Sequence, residues 1–131
     1  MNTPKHTSKK TLLLLVDDNP LLTGVYKTAF ERADFEVVVA HNGERGIQIA
    51  KDKRPDAILL DLLMPGLSGF EILIQLKLDD ATKDIQAIVL TAGGKEEDLE
   101  KAKRLGAFDC IVKSETGVAE TVDRVRAIVM K

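Results

Sequence analysis

The sequence predicts an α/β domain, a doubly wound, five-stranded parallel sheet with five helices on its faces. Three observations predict it. Short continuous apolar runs, such as Leu12 to Val16 and Ala57 to Leu60, have strand length and mark strands buried on both faces. They alternate with longer stretches whose apolar residues recur three and four apart, the mark of amphipathic helices. Asn, Pro and Gly punctuate the junctions.

The elements follow in order. Residues 1–10 are polar and read as a disordered tail ahead of a single domain over 11–131. The first strand is Thr11 to Val16, stopped by Asp17 and Asp18. Asn19 can cap the next helix, with Pro20 at its first position, where a missing N–H costs nothing. That helix sets Leu22, Val25, Tyr26, Ala29 and Phe30 on one face. A second strand, Glu36 to Ala40, precedes Asn42-Gly43, read as a turn, and a helix carrying Ile47 and Ala50 that Pro55 ends. The third strand, Ala57 to Leu60, delivers Asp61. Met64-Pro65-Gly66 forms a loop into a helix from about Ser68 to Leu78. The fourth strand, Ala87 to Leu90, ends at Thr91, and Gly93-Gly94 begins a turn. The following helix spans about Lys95 to Leu105. Glu96, Glu97 and Asp98 fall in its first turn, where the helix dipole favours them, and Gly106 fits its stop. The fifth strand is Asp109 to Val112, ending at Lys113. The last helix spans about Thr116 to Val129, with Val118, Val122, Val125 and Val129 on one face.

Strict alternation of strands and helices means a parallel sheet covered on both sides. Right-handed crossovers then give the flavodoxin-like strand order 2-1-3-4-5. A chain of 131 residues suits one such domain. The net charge of −2 gives no global pull toward nucleic acid or an anionic membrane. The single cysteine, Cys110, excludes an internal disulfide and suits a reducing, cytoplasmic compartment. No apolar run approaches the roughly 20 residues of a membrane helix.

Ligands of this architecture bind at the carboxyl ends of the strands, near the reversal in strand order. Those ends carry Asp17 and Asp18, Asp61, Thr91 and Lys113. Taken singly, each has a plain reading as a cap, a turn residue or a surface charge. Taken together, they converge on one shallow pocket. Three carboxylates at about 5 Å repel by roughly 3 kcal/mol per pair at an effective dielectric near 20. Either some are protonated or a cation neutralises them. Hard oxygen ligands suit Mg²⁺. Lys113 supplies positive charge for phosphoryl oxygens, and Thr91 a hydroxyl donor. The set matches phosphoryl transfer onto a carboxylate, with Asp61 as acceptor.

With Val16-Asp17-Asp18-Asn19, Asp61-Leu62-Leu63-Met64-Pro65 with Gly69, Thr91-Ala92, and Gly106-Ala107 ahead of Lys113 in this order, the chain resembles the receiver domain of two-component response regulators, of the CheY-like single-domain type. The resemblance implies that Asp61 takes a phosphoryl group from a histidine kinase or phosphotransfer protein, with Mg²⁺. It implies that Asp18 binds the metal directly, Asp17 through water, and that Asp61 and the backbone carbonyl of Leu63 complete the protein ligands. Thr91, Ala92 and Lys113 would surround the phosphoryl group. Output would come from the face of the fourth helix, fifth strand and fifth helix, read by a downstream target protein. The protein would be a monomer or weak homodimer, with no nucleic-acid or membrane partner. It would be a signalling switch rather than an enzyme, catalysing only its own phosphorylation and slow dephosphorylation.

Two positions depart from the family pattern. Cys110 stands where an aromatic residue usually swings inward, and a small thiol cannot make that swing. Ser114 stands where proline usually follows the lysine, so a trans bond is expected after Lys113. The plain reading of Cys110 is a small buried apolar residue; redox sensing is the sharper alternative. Leu63, two residues past Asp61, is expected to hinder an attacking water. Two other classes compete: a phosphorylation-independent interaction module, and a metal-dependent phosphatase with an aspartyl intermediate. The intact acidic set opposes the first. Leu63, where such phosphatases carry a second Asp, opposes the other. Walker and Rossmann glycine motifs are absent.

Overall fold

The computed structural model describes residues 10–93 and 95–130. The expected tail, apart from Lys10, and Gly94 of the expected turn lie outside the described residues. The elements are β1 (Thr11–Val16), α1 (Pro20–Arg32), β2 (Phe35–Ala40), α2 (Gly43–Lys53), β3 (Ala57–Leu60), α3 (Gly69–Leu78), β4 (Gln86–Thr91), α4 (Glu96–Arg104), β5 (Asp109–Val112) and α5 (Val118–Val129). The five strands form one sheet in the order β2-β1-β3-β4-β5, all pairs parallel.

Alternation along the strands splits the core in two. Leu14, Val16, Ile58, Leu60, Ala87 and Val89 pack against Ile47 and Ala50 of α2, Ile72, Leu73 and Leu76 of α3, and Ala102 of α4. Leu13, Leu15, Leu59, Leu90 and Ile111 pack against Tyr26 and Phe30 of α1 and Val122 and Val125 of α5. The β3 residues Ala57, Ile58, Leu59 and Leu60 are at most 1% exposed, as a central strand covered on both faces requires.

Local chemistry sets the helix starts. The Asn19 side chain accepts from Leu22 N at 3.1 Å, with Pro20 in the first turn. Ser68 and Glu71 form a reciprocal capping box, at 3.3 and 3.0 Å.

Some elements differ from the sequence reading. Asn42-Gly43 is not a free turn. Asn42 caps α2, accepting from Arg45 N at 2.8 Å, and Gly43 is the first helical residue. Val25 does not join the buried face of α1; it is 48% exposed. Thr23 is buried, and its hydroxyl is satisfied by donating back to Pro20 O at 3.0 Å. α5 begins at Val118, two residues late. Glu115 N and Thr116 N bond back to Val112 O and Lys113 O, closing a turn first. Among the described residues no peptide bond is cis, so Lys113–Ser114 is trans as expected.

Gly69 matters for the site because α3 starts directly over the end of β3. Its N–H donates to Leu62 O at 3.0 Å. A Cβ there would meet Leu62 Cα at 2.6 Å and Asp61 O at 2.7 Å, both backbone atoms. Gly24, inside α1, has nothing within 4 Å of the same position. The two glycines should therefore respond oppositely to alanine. In urea denaturation, Gly69→Ala is expected to lose about 1–3 kcal/mol by overpacking. Gly24→Ala is expected to gain about 0.5–1 kcal/mol through helix propensity.

Candidate phosphoacceptor site

The strand ladder continues past the strand ends and carries the polar residues into place. Asp17 N donates to Ala40 O at 3.1 Å, Asp61 N to Val16 O at 3.0 Å, and Lys113 N to Thr91 O at 2.7 Å. Asp17, Asp61 and Lys113 are therefore fixed at the backbone by hydrogen bonds from a neighbouring strand.

These bonds bring together the three carboxylates that the sequence singled out. One oxygen each from Asp17, Asp18 and Asp61 lies within 4.8 Å of the others. Asp17 is buried, Asp61 half-buried and Asp18 exposed. Oxygen donors at this spacing, from two neighbouring strands, fit a small hard cation. Two polar contacts orient the cluster: Asn19 N donates to Asp17 Oδ1 at 3.0 Å, and Leu63 N to Asp61 Oδ1 at 3.2 Å.

Lys113 joins the cluster through Asp17. Its Nζ lies 2.9 Å from Asp17 Oδ2, with the two side chains only 13% and 6% exposed. The plain reading of Lys113 as a solvated surface charge is thus excluded. Thr91 is 1% exposed, and its hydroxyl donates to Gly93 O at 3.1 Å. Ala92 and the Leu63 side chain are exposed, Leu63 at 66%.

The electrostatics of Asp61 follow from this packing. Burial pushes its carboxyl above the ordinary value, and the charges of Asp17 and Asp18 push the same way. The Leu63 N–H and the Lys113 ammonium pull down, but by less. Partial desolvation without a dedicated counter-ion leaves a nucleophile that a cation would stabilise.

Cys110 is half-buried, and its thiol donates to Leu99 O at 3.7 Å on the α4 side. Burial and Asp109 push its pKa up, against Lys103 and Arg124. That favours the inert thiol over a redox-active thiolate. His41 was not anticipated in the sequence: a ring nitrogen lies 3.1 Å from Asp17 O. Nothing in the spacing of His41 signals this contact, which depends on β2 lying beside β1.

An open surface groove lies elsewhere, between α1 and the start of α5, lined by Leu21, Val25, Ala29 and Val118. Its lining has no carboxylate, so the acidic site has the stronger chemical claim.

The sequence profile of the response regulator receiver domain family matches residues 13–126. Protein PilH of Pseudomonas aeruginosa is 37% identical over 119 residues, covering 88% of this chain and 97% of PilH. The phosphate regulon transcriptional regulatory protein PhoB of the same organism is 36% identical over 119 residues, covering 91% of this chain and 52% of PhoB. The chain thus spans about half the length of that regulator. Chemotaxis protein CheY4 of Vibrio cholerae superposes with a TM-score of 0.85, covering 92% of this chain and 99% of CheY4. At 23% identity that likeness concerns the fold alone.

The crowding of carboxylates makes a stability prediction. A carboxyl with a raised folded pKa destabilises the fold above that pKa. The penalty is relieved as pH falls through it and vanishes below the unfolded value, ordinarily 3.8. In a metal chelator, Asp61→Asn should therefore be more stable than the wild type at pH 7. The gain should shrink as pH falls toward 4, as read by thermal melts.

Proposed function

Because the chain belongs to the response regulator receiver domain family, we propose that it is a phosphorylated switch with Asp61 as its acceptor. The observation that carries this reading is the half-buried Asp61 carboxylate clustered with Asp17 and Asp18 and facing Lys113. A carboxylate oxygen of Asp61 attacks the phosphorus of a phosphohistidine on a kinase or phosphotransfer protein. The P–N bond breaks, the imidazole leaves and takes up a proton, and an aspartyl phosphate forms.

Asp18, Asp61 and the Leu63 carbonyl would hold Mg²⁺ directly, and Asp17 through water. When bound, Mg²⁺ supplies positive charge to the phosphoryl oxygens and to the crowded carboxylates. The remaining work falls to the side chains. The Leu63 N–H orients Asp61. Lys113 starts on Asp17 and transfers its ammonium to a phosphoryl oxygen, a charge-assisted bond that offsets the lost pair. Thr91 exchanges Gly93 O for a phosphoryl oxygen, which moves the Thr91–Ala92 segment that leads toward α4. That local change biases the α4–β5–α5 face, where a downstream target binds.

The chain turns over no free substrate in this reading. It acts in the cytoplasm on a kinase and a target. Among the described residues no helix is long and apolar enough to cross a membrane. The exposed Leu63 side chain shields the acyl phosphate from water.

Incubation with a small acyl-phosphate donor and Mg²⁺ should add one phosphoryl mass to the intact protein, and chelation or Asp61→Asn should abolish it. An equal gain in Asp61→Asn would overturn the assignment. In the same assay, Leu63→Asn should lose the phosphoryl mass several-fold faster than wild type; equal decay would remove the shielding role.

A further inference from the structure

Every polar group of Asp17 is bonded. Its N–H donates to Ala40 O at 3.1 Å, and Asn19 N donates to its Oδ1 at 3.0 Å. Lys113 Nζ lies 2.9 Å from its Oδ2, and His41 Nδ1 lies 3.1 Å from its carbonyl oxygen. A carbonyl oxygen only accepts, so His41 Nδ1 carries a proton and donates it.

His41 is the first residue past β2, the edge strand that flanks β1 on the side away from β3. Its backbone is anchored on both sides. Ala40 before it pairs with Val16 in the sheet, and Asn42 after it caps α2. α2 in turn sits close on β1, because a Cβ at Gly46 would meet Val16 Cγ2 at 3.0 Å. A side chain rooted on so short and fixed a connection can hold a hydrogen bond in one place.

Ala40 O and His41 Nδ1 thus grip both backbone groups of Asp17, and the oxygen held by His41 belongs to the Asp17–Asp18 peptide. The far side of Asp18 is fixed as well. Asn19 is tied to Asp17 Oδ1, and its side chain and carbonyl accept from Leu22 N and Thr23 N at 3.1 and 3.0 Å. Asp18 itself is exposed, so its place in the carboxylate cluster follows from these two neighbours.

We propose that His41 is a positioning residue: by holding the Asp17 carbonyl it sets the Asp17–Asp18 peptide and so aims the Asp18 carboxylate for a divalent cation. The proposal rests on the reading of Asp17, Asp18 and Asp61 as a Mg²⁺ site. The grip matters most when Lys113 leaves Asp17 for the phosphoryl group. Asp17 Oδ2 then loses its cationic partner while Asp18 and Asp61 still repel it. The hold of Ala40 and His41 on the Asp17 backbone keeps the loop from giving way.

Mg²⁺ is titrated into the chelator-treated, isotope-labelled full chain while the amide signals of Asp18 and Asn19 are followed by NMR, in wild type, His41→Ala and His41→Asn. The Asn amide nitrogen stands one bond from Cγ, as Nδ1 does, and can donate in its place. His41→Ala should bind Mg²⁺ about 3- to 10-fold more weakly, the scale of one hydrogen bond, and His41→Asn should recover most of the loss. A merely structural role would lower the melting temperature of His41→Ala in chelator and leave its Mg²⁺ affinity equal to wild type, which would overturn the proposal. So would a His41→Asn variant that binds no better than His41→Ala. Should His41→Ala fail to fold, His41→Gln, whose amide stands one bond too far out, takes its place, and equal affinity in His41→Gln and His41→Asn would overturn the proposal. A wild type that binds no Mg²⁺ would instead overturn the metal-site reading, and the role of His41 with it.

Discussion

Repulsion among three carboxylates, set against one ammonium, is the constraint on which the site depends. Asp17 and Asp61 are held by backbone bonds that continue the sheet, and Asp18 follows Asp17 directly in the chain, so the three carboxylates stay close. Lys113 answers one of them, Asp17, and leaves Asp61 partly desolvated with no dedicated partner. Such a group is costly to keep ionised. It is also ready to gain from any cation or phosphoryl group that reorganises the charges. Sheet geometry, side-chain burial and the proposed chemistry thus express the same electrostatic tension.

Strand alternation gives the tension two outlets. Asp17, Asp61 and Lys113 continue the periodicity of the residues that pack on α1 and α5. Thr91 continues that of the residues that pack on α2, α3 and α4. A change at Asp61 therefore touches both cores. In this chain the Thr91 side meets Cys110, a half-buried thiol tied to Leu99 O. The Lys113 side adjoins the core that holds Tyr26 and Phe30 of α1 and Val122 and Val125 of α5.

Much of this was legible in the sequence, for identifiable reasons. The strands announced themselves as apolar runs because each is covered on both faces. Asp17, Asp18, Asp61, Thr91 and Lys113 stood out because strand ends are fixed points of the topology. What escaped depended on three dimensions. Asn42 reads equally well as a turn or a cap until the direction of α2 is known. Thr23 is buried on α1 with its hydroxyl satisfied by Pro20 O, a place that hydrophobic periodicity does not register. The contact of His41 with the backbone of Asp17 comes from a neighbouring strand, and no local spacing encodes it.

The central claim is that the carboxylates are held together against their repulsion to receive a cation. Titrating Mg²⁺ into the chelated protein while recording its melting temperature tests this most directly. The account predicts that Mg²⁺ raises the melting temperature of the wild type in a saturable way, and that Asp18→Asn and Asp61→Asn abolish most of the rise. A wild-type melting temperature indifferent to Mg²⁺, or an equal rise in both variants, would contradict it.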